Sequence, residues 1–382
     1  MISGNIPSGF ARAARRSKQA GPPCRWRGRP GDFLLLTNRR PWFLRGGTGA
    51  AVCVDFDPDE LSSGGRRKRC RAVWVIRSGS LCAVRVDIRV ETTVGAFAGV
   101  DFGGRGPDVL LVHGTGHNSA VWAPVAGQLR PHCRVVAIDL RGHGRTRLDS
   151  DDAEQYWRDL GPICAALGYR RPILVGHSTG GYAVTAAAAA GAVEPAGVCV
   201  LDGFVPETRA IALQAAADVD WPAMADQLRS RFRYGWIADD DELAGYVEQV
   251  VADADRDWLN AGADHRVLRA MTIRAFTRAG KGWLRRPTLS EIDTVRQPRE
   301  DAGIYPSIEV YGRVPQPLAL VLASGGLYAG RRDRAEAVAA ARSNRVSVEV
   351  AGGHNVHLLR PREIASIVLD LIARAGDPSA SW

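Results

Sequence analysis

The stretch Pro172–Tyr182 (PILVGHSTGGY) constrains the fold of this chain more than any other. Ile173-Leu174-Val175 is an unbroken apolar run, which reads as a strand buried on both faces. It enters Gly176-His177-Ser178-Thr179-Gly180 and leaves directly into an Ala-rich helix over about Gly181–Gly191. Strand and helix can be joined this closely only by a sharp bend that strains the backbone of its central residue. Side chains at Gly176 and Gly180 would collide with the neighbouring strand and helix. The Ser178 hydroxyl is then exposed at the carboxyl end of a sheet and at a helix N-terminus.

The flanking sequence alternates in the same way. Val86–Val90 and Val94–Phe102 read as two antiparallel strands. Asp108–His113, Arg134–Leu140, Pro172–Gly176 and Gly197–Asp202 read as buried strands. Helical segments lie between them over Ala120–Leu129 and Ala153–Leu167. Residues 206–305 are mostly helical and polar. Leu318–Ala323 then resumes the buried-strand texture, followed by a helix near 332–342, a strand over Val346–Val350 and a last helix over Pro361–Ala373. Such β-α alternation predicts an α/β fold, a mostly parallel sheet with helices on both faces. The expected organisation is a core in two parts, 85–205 and 306–376, with residues 206–305 inserted between them and a flexible tail over 377–382.

Residues 1–84 do not read as part of that fold. Residues 1–85 hold 17 Lys and Arg against 5 Asp and Glu, so the net +9 of the chain is concentrated there and the remainder is slightly acidic. Their apolar pieces follow no period of 2 or 3.6, and the segment is expected to be disordered or loosely attached. It could also be translated from upstream of the true start, form a basic nucleic-acid arm around Arg66–Arg71, or act as an Arg-rich transit peptide. With the basic balance outside the core, no nucleic-acid partner is expected. Cys24, Cys53, Cys70, Cys82, Cys133, Cys164 and Cys199 show no paired metal spacing, and a reducing, cytoplasmic setting is expected. No apolar run approaches the roughly 18 residues of a membrane span, so stable membrane insertion is not expected.

Two further motifs follow buried strands. His113-Gly114-Thr115-Gly116-His117-Asn118 comes after the first, and Gly352-Gly353-His354-Asn355-Val356-His357 lies between the last strand and the last helix. A serine hydroxyl needs a base within hydrogen-bond reach, and His354 is the better candidate. His357 reads as a packing or capping residue. His113 reads as a brace for its loop, and His117 as either a pocket-lining or a surface residue.

Taken together, these segments resemble the α/β-hydrolase superfamily over residues 86–376. The strand–HGTG, Asp139–Arg145 (DLRGHGR), GHSTGG and GGHNVH…RP motifs stand in that superfamily's order. The resemblance implies a serine hydrolase of the esterase or lipase type, with the helical insertion as a lid. Ser178 would be the nucleophile and His354 the base, with an acid between them in chain order. The backbone N–H groups of Thr115 and Thr179 would form an oxyanion hole. Asp139, His143 and Arg145 read as structural, with Arg145 near the pocket rim. The acid departs from the commonest pattern, because Leu322–Gly330 (LASGGLYAG), where most members carry it, contains no carboxylate. Asp202, at the end of the preceding core strand, is the preferred candidate, and Asp333 the second.

An ester, lactone or thioester of a small to medium apolar molecule is the expected small-molecule substrate, with no metal and no organic cofactor. A carbon–carbon bond hydrolase and a non-catalytic ligand-binding member are the rival readings. Trp221, Phe232, Trp236, Phe276 and Trp283 could line a pocket or form the insertion's own core. Arg274–Arg286 (RAFTRAGKGWLRR) could meet an anionic substrate, and a solvated face is the preferred reading.

Overall fold

The computed structural model describes residues 85–376, together with three two-residue strands before them: β1 (Leu44–Arg45), β2 (Ala51–Val52) and β3 (Val73–Trp74). The expectations for the remaining residues of 1–84 and for 377–382 lie outside the described residues. β1 and β2 pair antiparallel.

The main sheet begins with β3, β4 (Arg85–Thr92) and β5 (Gly95–Gly103), which run antiparallel. The parallel part comprises β6 (Asp108–Val112), β7 (Arg134–Ile138), β8 (Ile173–His177), β9 (Gly197–Leu201), β13 (Leu318–Gly325) and β14 (Arg345–Gly353). Their spatial order is β14-β13-β9-β8-β6-β7-β5-β4-β3. After β6 the chain adds β7 on one side and β8 on the other. The loops leaving β6 and β8 therefore diverge at the carboxyl edge and leave a crevice there, as open α/β sheets do.

Successive side chains of these strands point to opposite faces, so each continuous apolar run serves two cores. Leu110, Val112, Leu174 and Val200 belong to one core, and Val109, Leu111, Ile173, Val175 and Cys199 to the other. The first is covered by α3 (Leu160–Leu167) and the Ala-rich α4 (Thr179–Ala189), and the second by α1 (Ala123–Leu129) and α12 (Pro361–Gly376). Cys133, Cys164 and Cys199 are buried free thiols, and burial raises their pKa to about 11, 12 and 12. They act as small apolar side chains. No helix among the described residues is long and apolar enough to cross a membrane.

Three expectations need correction. The helix read over Ala153–Leu167 is two helices, α2 (Gln155–Arg158) and α3, which meet at Asp159. The Asp159 carboxylate turns inward there to hold Arg141 at 2.6 and 3.1 Å. The inserted segment contains α5 to α9 (Arg209–Ala217, Trp221–Phe232, Asp240–Ala252, His265–Arg274, Leu289–Arg296) but also a three-stranded sheet. In it β12 (Gly282–Arg285) pairs antiparallel with both β10 (Ile237–Ala238) and β11 (Phe276–Ala279). Gly280, at φ +60°, turns β11 into β12 within Arg274–Arg286.

The third correction concerns the arginines of that stretch, since Arg274, Arg285 and Arg286 are buried and do not form a solvated face. Arg274 donates through Nε to Asp139 at 2.9 Å and pairs with Asp87 at 2.5 Å. Burial alone would raise the Asp139 carboxyl, but the Arg274 guanidinium brings it down to about 2. Arg286 pairs with Asp149 at 2.5 Å, and Glu291 accepts from Ser150 N and Oγ at 2.8 and 2.6 Å. These charge contacts tie the inserted segment to the sheet. Arg274 and Asp139 are both buried, and losing one partner of such a pair costs about 3–5 kcal/mol, whereas Asp149 is largely exposed and its contact with Arg286 is worth much less. Arg145 pairs with Asp87 at 2.9 Å and is not among the residues bordering the cavities described below.

Candidate active site

At the end of β8 the bend falls on Ser178, with φ 53° and ψ −124°, and α4 begins at the next residue. An L-residue held there stores strain of about 1–3 kcal/mol. The surroundings enforce it. Ser178 N donates to Leu201 O at 3.0 Å. A Cβ on Gly176 would lie 2.1 Å from Gly180 O, and one on Gly180 would lie 2.4 Å from Val112 O. The two glycines are thus required by close approach on both sides of the serine.

His354 follows β14 and is 7 % exposed. Its Nδ1 lies 2.6 Å from Oδ2 of Asp202, which is fully buried just past β9 at φ 39°. The carboxylate also accepts from Ala323 N at 3.1 Å and Leu327 N at 3.0 Å. These donors come from the LASGGLYAG stretch, the one without a carboxylate of its own. A Cβ on Gly326 would lie 2.3 Å from Asp202 Oδ2, so a glycine leaves the space that Asp202 fills. An acceptor at Nδ1 fixes the tautomer with Nδ1–H and leaves the Nε2 lone pair free. Ser178 and His354 border the same cavity. Among the described residues Ser178 Oγ makes no hydrogen bond, as is common in such sites before substrate is bound. Asp333 is exposed at the start of α10 (Arg332–Ala340) and borders neither cavity.

The loop after β6 passes beside the serine. A Cβ on Gly114 would lie 2.7 Å from Ser178 Cβ. Thr115 Oγ1 and Thr179 Oγ1 are hydrogen bonded at 2.8 Å, which joins the two loops. The backbone N–H groups of Thr115 and Thr179 donate to no described residue. His113 braces the turn: Nε2 accepts from Leu140 N at 3.0 Å, and Nδ1 donates to Gly114 O at 2.8 Å. His143 Nδ1 lies 2.6 Å from Arg141 O.

His177, which carried no role in the sequence reading, joins His354 and His357, the latter read as packing or capping, in a stack of rings. His177 packs 4.6 Å from the ring of His354 and 4.2 Å from that of His357, and donates through Nε2 to His354 O at 3.0 Å. His357 in turn packs 4.9 Å from Trp122. Burial first, then the neighbouring histidines, holds His177 and His357 well below the usual imidazole range. Burial thus favours their neutral form, and together with His117 one ring nitrogen of each lies within 4.8 Å of the others, close enough to hold a metal ion. His117 borders the cavity, with its pKa lowered to about 3 by burial and by His113 and His354.

Ser178 lies where two cavities meet, with Thr115 and Ile292 also bordering both. The smaller, about 270 Å³, is walled by Tyr156, Trp157, Tyr182, Val205, Val295 and Tyr328 among others. The larger, about 850 Å³, is walled mainly by the inserted segment and includes His354, Phe232, Trp258 and several arginines. Of the aromatics singled out in the insertion, Phe232 borders the larger cavity. Trp236 and Phe276 pack against each other and Tyr246, and form part of the segment's own core.

The doubly wound sheet, the strained serine at its carboxyl edge and the Asp202–His354 pair define the class of α/β hydrolases. The profile of the Alpha/beta hydrolase family matches residues 109–367, and the chain belongs to that family. Among curated proteins, it is 38 % identical over 126 residues to Protein phosphatase methylesterase 1 of Mus musculus and 35 % identical over 127 residues to that of Homo sapiens. Each match covers 31 % of this chain and 33 % of the relative, so the chain spans about a third of the length of these relatives. Among solved structures, E-2-(acetamidomethylene)succinate hydrolase aligns with TM-score 0.59 at 20 % identity, over 76 % of this chain and 99 % of its own. An esterase from Thermogutta terrifontis aligns with TM-score 0.53 at 18 % identity, over 76 % and 98 %. At these identities the likeness concerns the fold.

Proposed function

We propose that the chain is a serine hydrolase that cleaves a carboxylic ester, thioester or lactone through an acyl-enzyme on Ser178. The observation that carries this reading is the 2.6 Å contact between His354 Nδ1 and the buried Asp202 carboxylate, behind a serine held at positive φ. His354 Nε2 takes the Ser178 proton as Oγ attacks the carbonyl carbon. The N–H groups of Thr115 and Thr179 donate to the developing oxyanion, a contribution worth about 3–4 kcal/mol per donor in sites of this kind. His354 then protonates the leaving group, activates water and returns the serine. Asp202 keeps Nδ1 protonated and stabilises the imidazolium. The smaller cavity, walled mainly by aromatic and aliphatic side chains with Glu154 and Arg296 also bordering it, suits a largely apolar acyl group, and the inserted segment acts as the lid over the larger one.

The reading is tested with p-nitrophenyl butyrate. The expected result is hydrolysis with a burst of nitrophenol at one equivalent or below, and a butyryl mass increment on the Ser178 peptide after acid quench. No acylated intermediate and no turnover with esters, thioesters or lactones would overturn it.

A further inference from the structure

Arg285, at the end of β12, is 8 % exposed and borders the larger cavity together with Ser178 and His354. Its neighbours Arg274 and Arg286 each hold a carboxylate, but Arg285 has none within 4.0 Å among the described residues. Nη1 donates to Arg286 O at 2.9 Å, and the guanidinium lies 5.6 Å from the ring centres of both Tyr234 and Phe276. Nε is buried with no hydrogen-bond partner. The two acidic residues bordering this cavity are committed elsewhere, Asp257 to Arg231 and Asp253 to Arg256. A buried guanidinium without a counter-ion is costly to hold, and the planar fork of a guanidinium matches the shape of a carboxylate.

We infer that Arg285 is the anion-binding residue of the substrate site and takes a carboxylate carried on the leaving-group side of the ester. The inference rests on the hydrolase reading above. The side follows from the two cavities: His354 borders only the larger one, and the group that His354 protonates is the leaving group. The acyl part then occupies the smaller, mainly apolar cavity, whose charged residues Arg296 and Glu154 are paired with Asp293 and Arg158, and the alcohol part lies under the lid with its carboxylate on Arg285. Charge-assisted hydrogen bonds of this kind are roughly twice as strong as neutral ones and gain further where water is excluded.

The test uses 3-butyryloxybutyrate, whose carboxylate is on the alcohol moiety, its neutral primary amide, and monobutyl succinate, whose carboxylate is on the acyl moiety. Wild-type protein is expected to favour 3-butyryloxybutyrate over each of the other two by at least tenfold in kcat/KM. Arg285→Gln should lower that ratio at least tenfold, and Arg285→Lys, which keeps the charge, should restore part of it. Calorimetric titration with 3-hydroxybutyrate reads the subsite without turnover, and Arg285→Gln should weaken this binding at least tenfold. Equal kcat/KM for the three esters in wild type, or a preference and an affinity unchanged in Arg285→Gln, would overturn the assignment. Fluorophosphonate labelling of the same preparations separates the two readings. Ser178 labelled without carboxylate preference removes the subsite alone. Ser178 unlabelled with no ester turned over removes the hydrolase reading, and the titration still decides the subsite.

Discussion

Replacing Asp202 by Asn is expected to lower kcat by about 10³–10⁴ while leaving the protein folded. The carboxylate accepts from His354 Nδ1 at 2.6 Å and from two backbone N–H groups. A carboxamide of the same shape retains only one acceptor oxygen, and its NH₂ turned toward Nδ1 stabilises the tautomer with the proton on Nε2. That tautomer has no lone pair for the Ser178 proton. The imidazolium formed at the transition state also loses its counter-charge in a buried setting, where such interactions are strong. Asp333→Asn, at an exposed helix start, is expected to leave kcat within twofold. Steady-state kinetics on one ester, with circular dichroism to verify folding, decides between the two carboxylates. A larger loss at Asp333 would reverse the assignment.

The second large effect is on stability in acid. His113, His143, His177 and His357 are buried, and burial holds each below the usual imidazole range. In the unfolded chain they titrate near 6.5. Below that pH the unfolded state binds more protons than the folded one, so stability falls as pH falls. Each histidine that stays neutral contributes about 1.4 kcal/mol per pH unit to this loss. The three held well below the usual range, His143, His177 and His357, together cost about 4 kcal/mol per pH unit against a typical stability of about 5–15 kcal/mol. Asp139, held at about 2, adds its own loss only below the ordinary carboxylate range. Acid unfolding followed by tryptophan fluorescence is therefore expected as pH falls below the ordinary imidazole range. His357→Phe, which keeps an aromatic ring against His177 and Trp122, should move the midpoint to lower pH. A protein that stays folded at pH 3 would contradict neutral burial of these side chains.

The parts legible in the sequence are those encoded locally. The continuous apolar strands, the Gly-x-Ser-x-Gly bend and the glycines before His354 each carry their geometry within a few residues. Asp202 was legible only as one of two candidates. Which carboxylate reaches His354 depends on β13 lying between β9 and β14, and on Gly326 leaving room for a side chain from another strand. The missing carboxylate in LASGGLYAG was the available cue. The burial of Arg274 and Arg286 was not legible, because their partners Asp139 and Asp149 lie 135 and 137 residues away. Spacing within Arg274–Arg286 cannot distinguish such pairing from solvation. The histidine stack follows the same logic: His177 and His357 flank Ser178 and His354 in sequence, but that their rings meet is a property of the folded sheet edge.

The most direct test of the central claim is labelling with a fluorophosphonate probe followed by peptide mass spectrometry. The account predicts one probe per chain, located on Ser178, with labelling abolished in Ser178→Ala and slowed at least a hundredfold in His354→Ala. A folded wild-type protein that takes no label, or takes it at another residue, would contradict it.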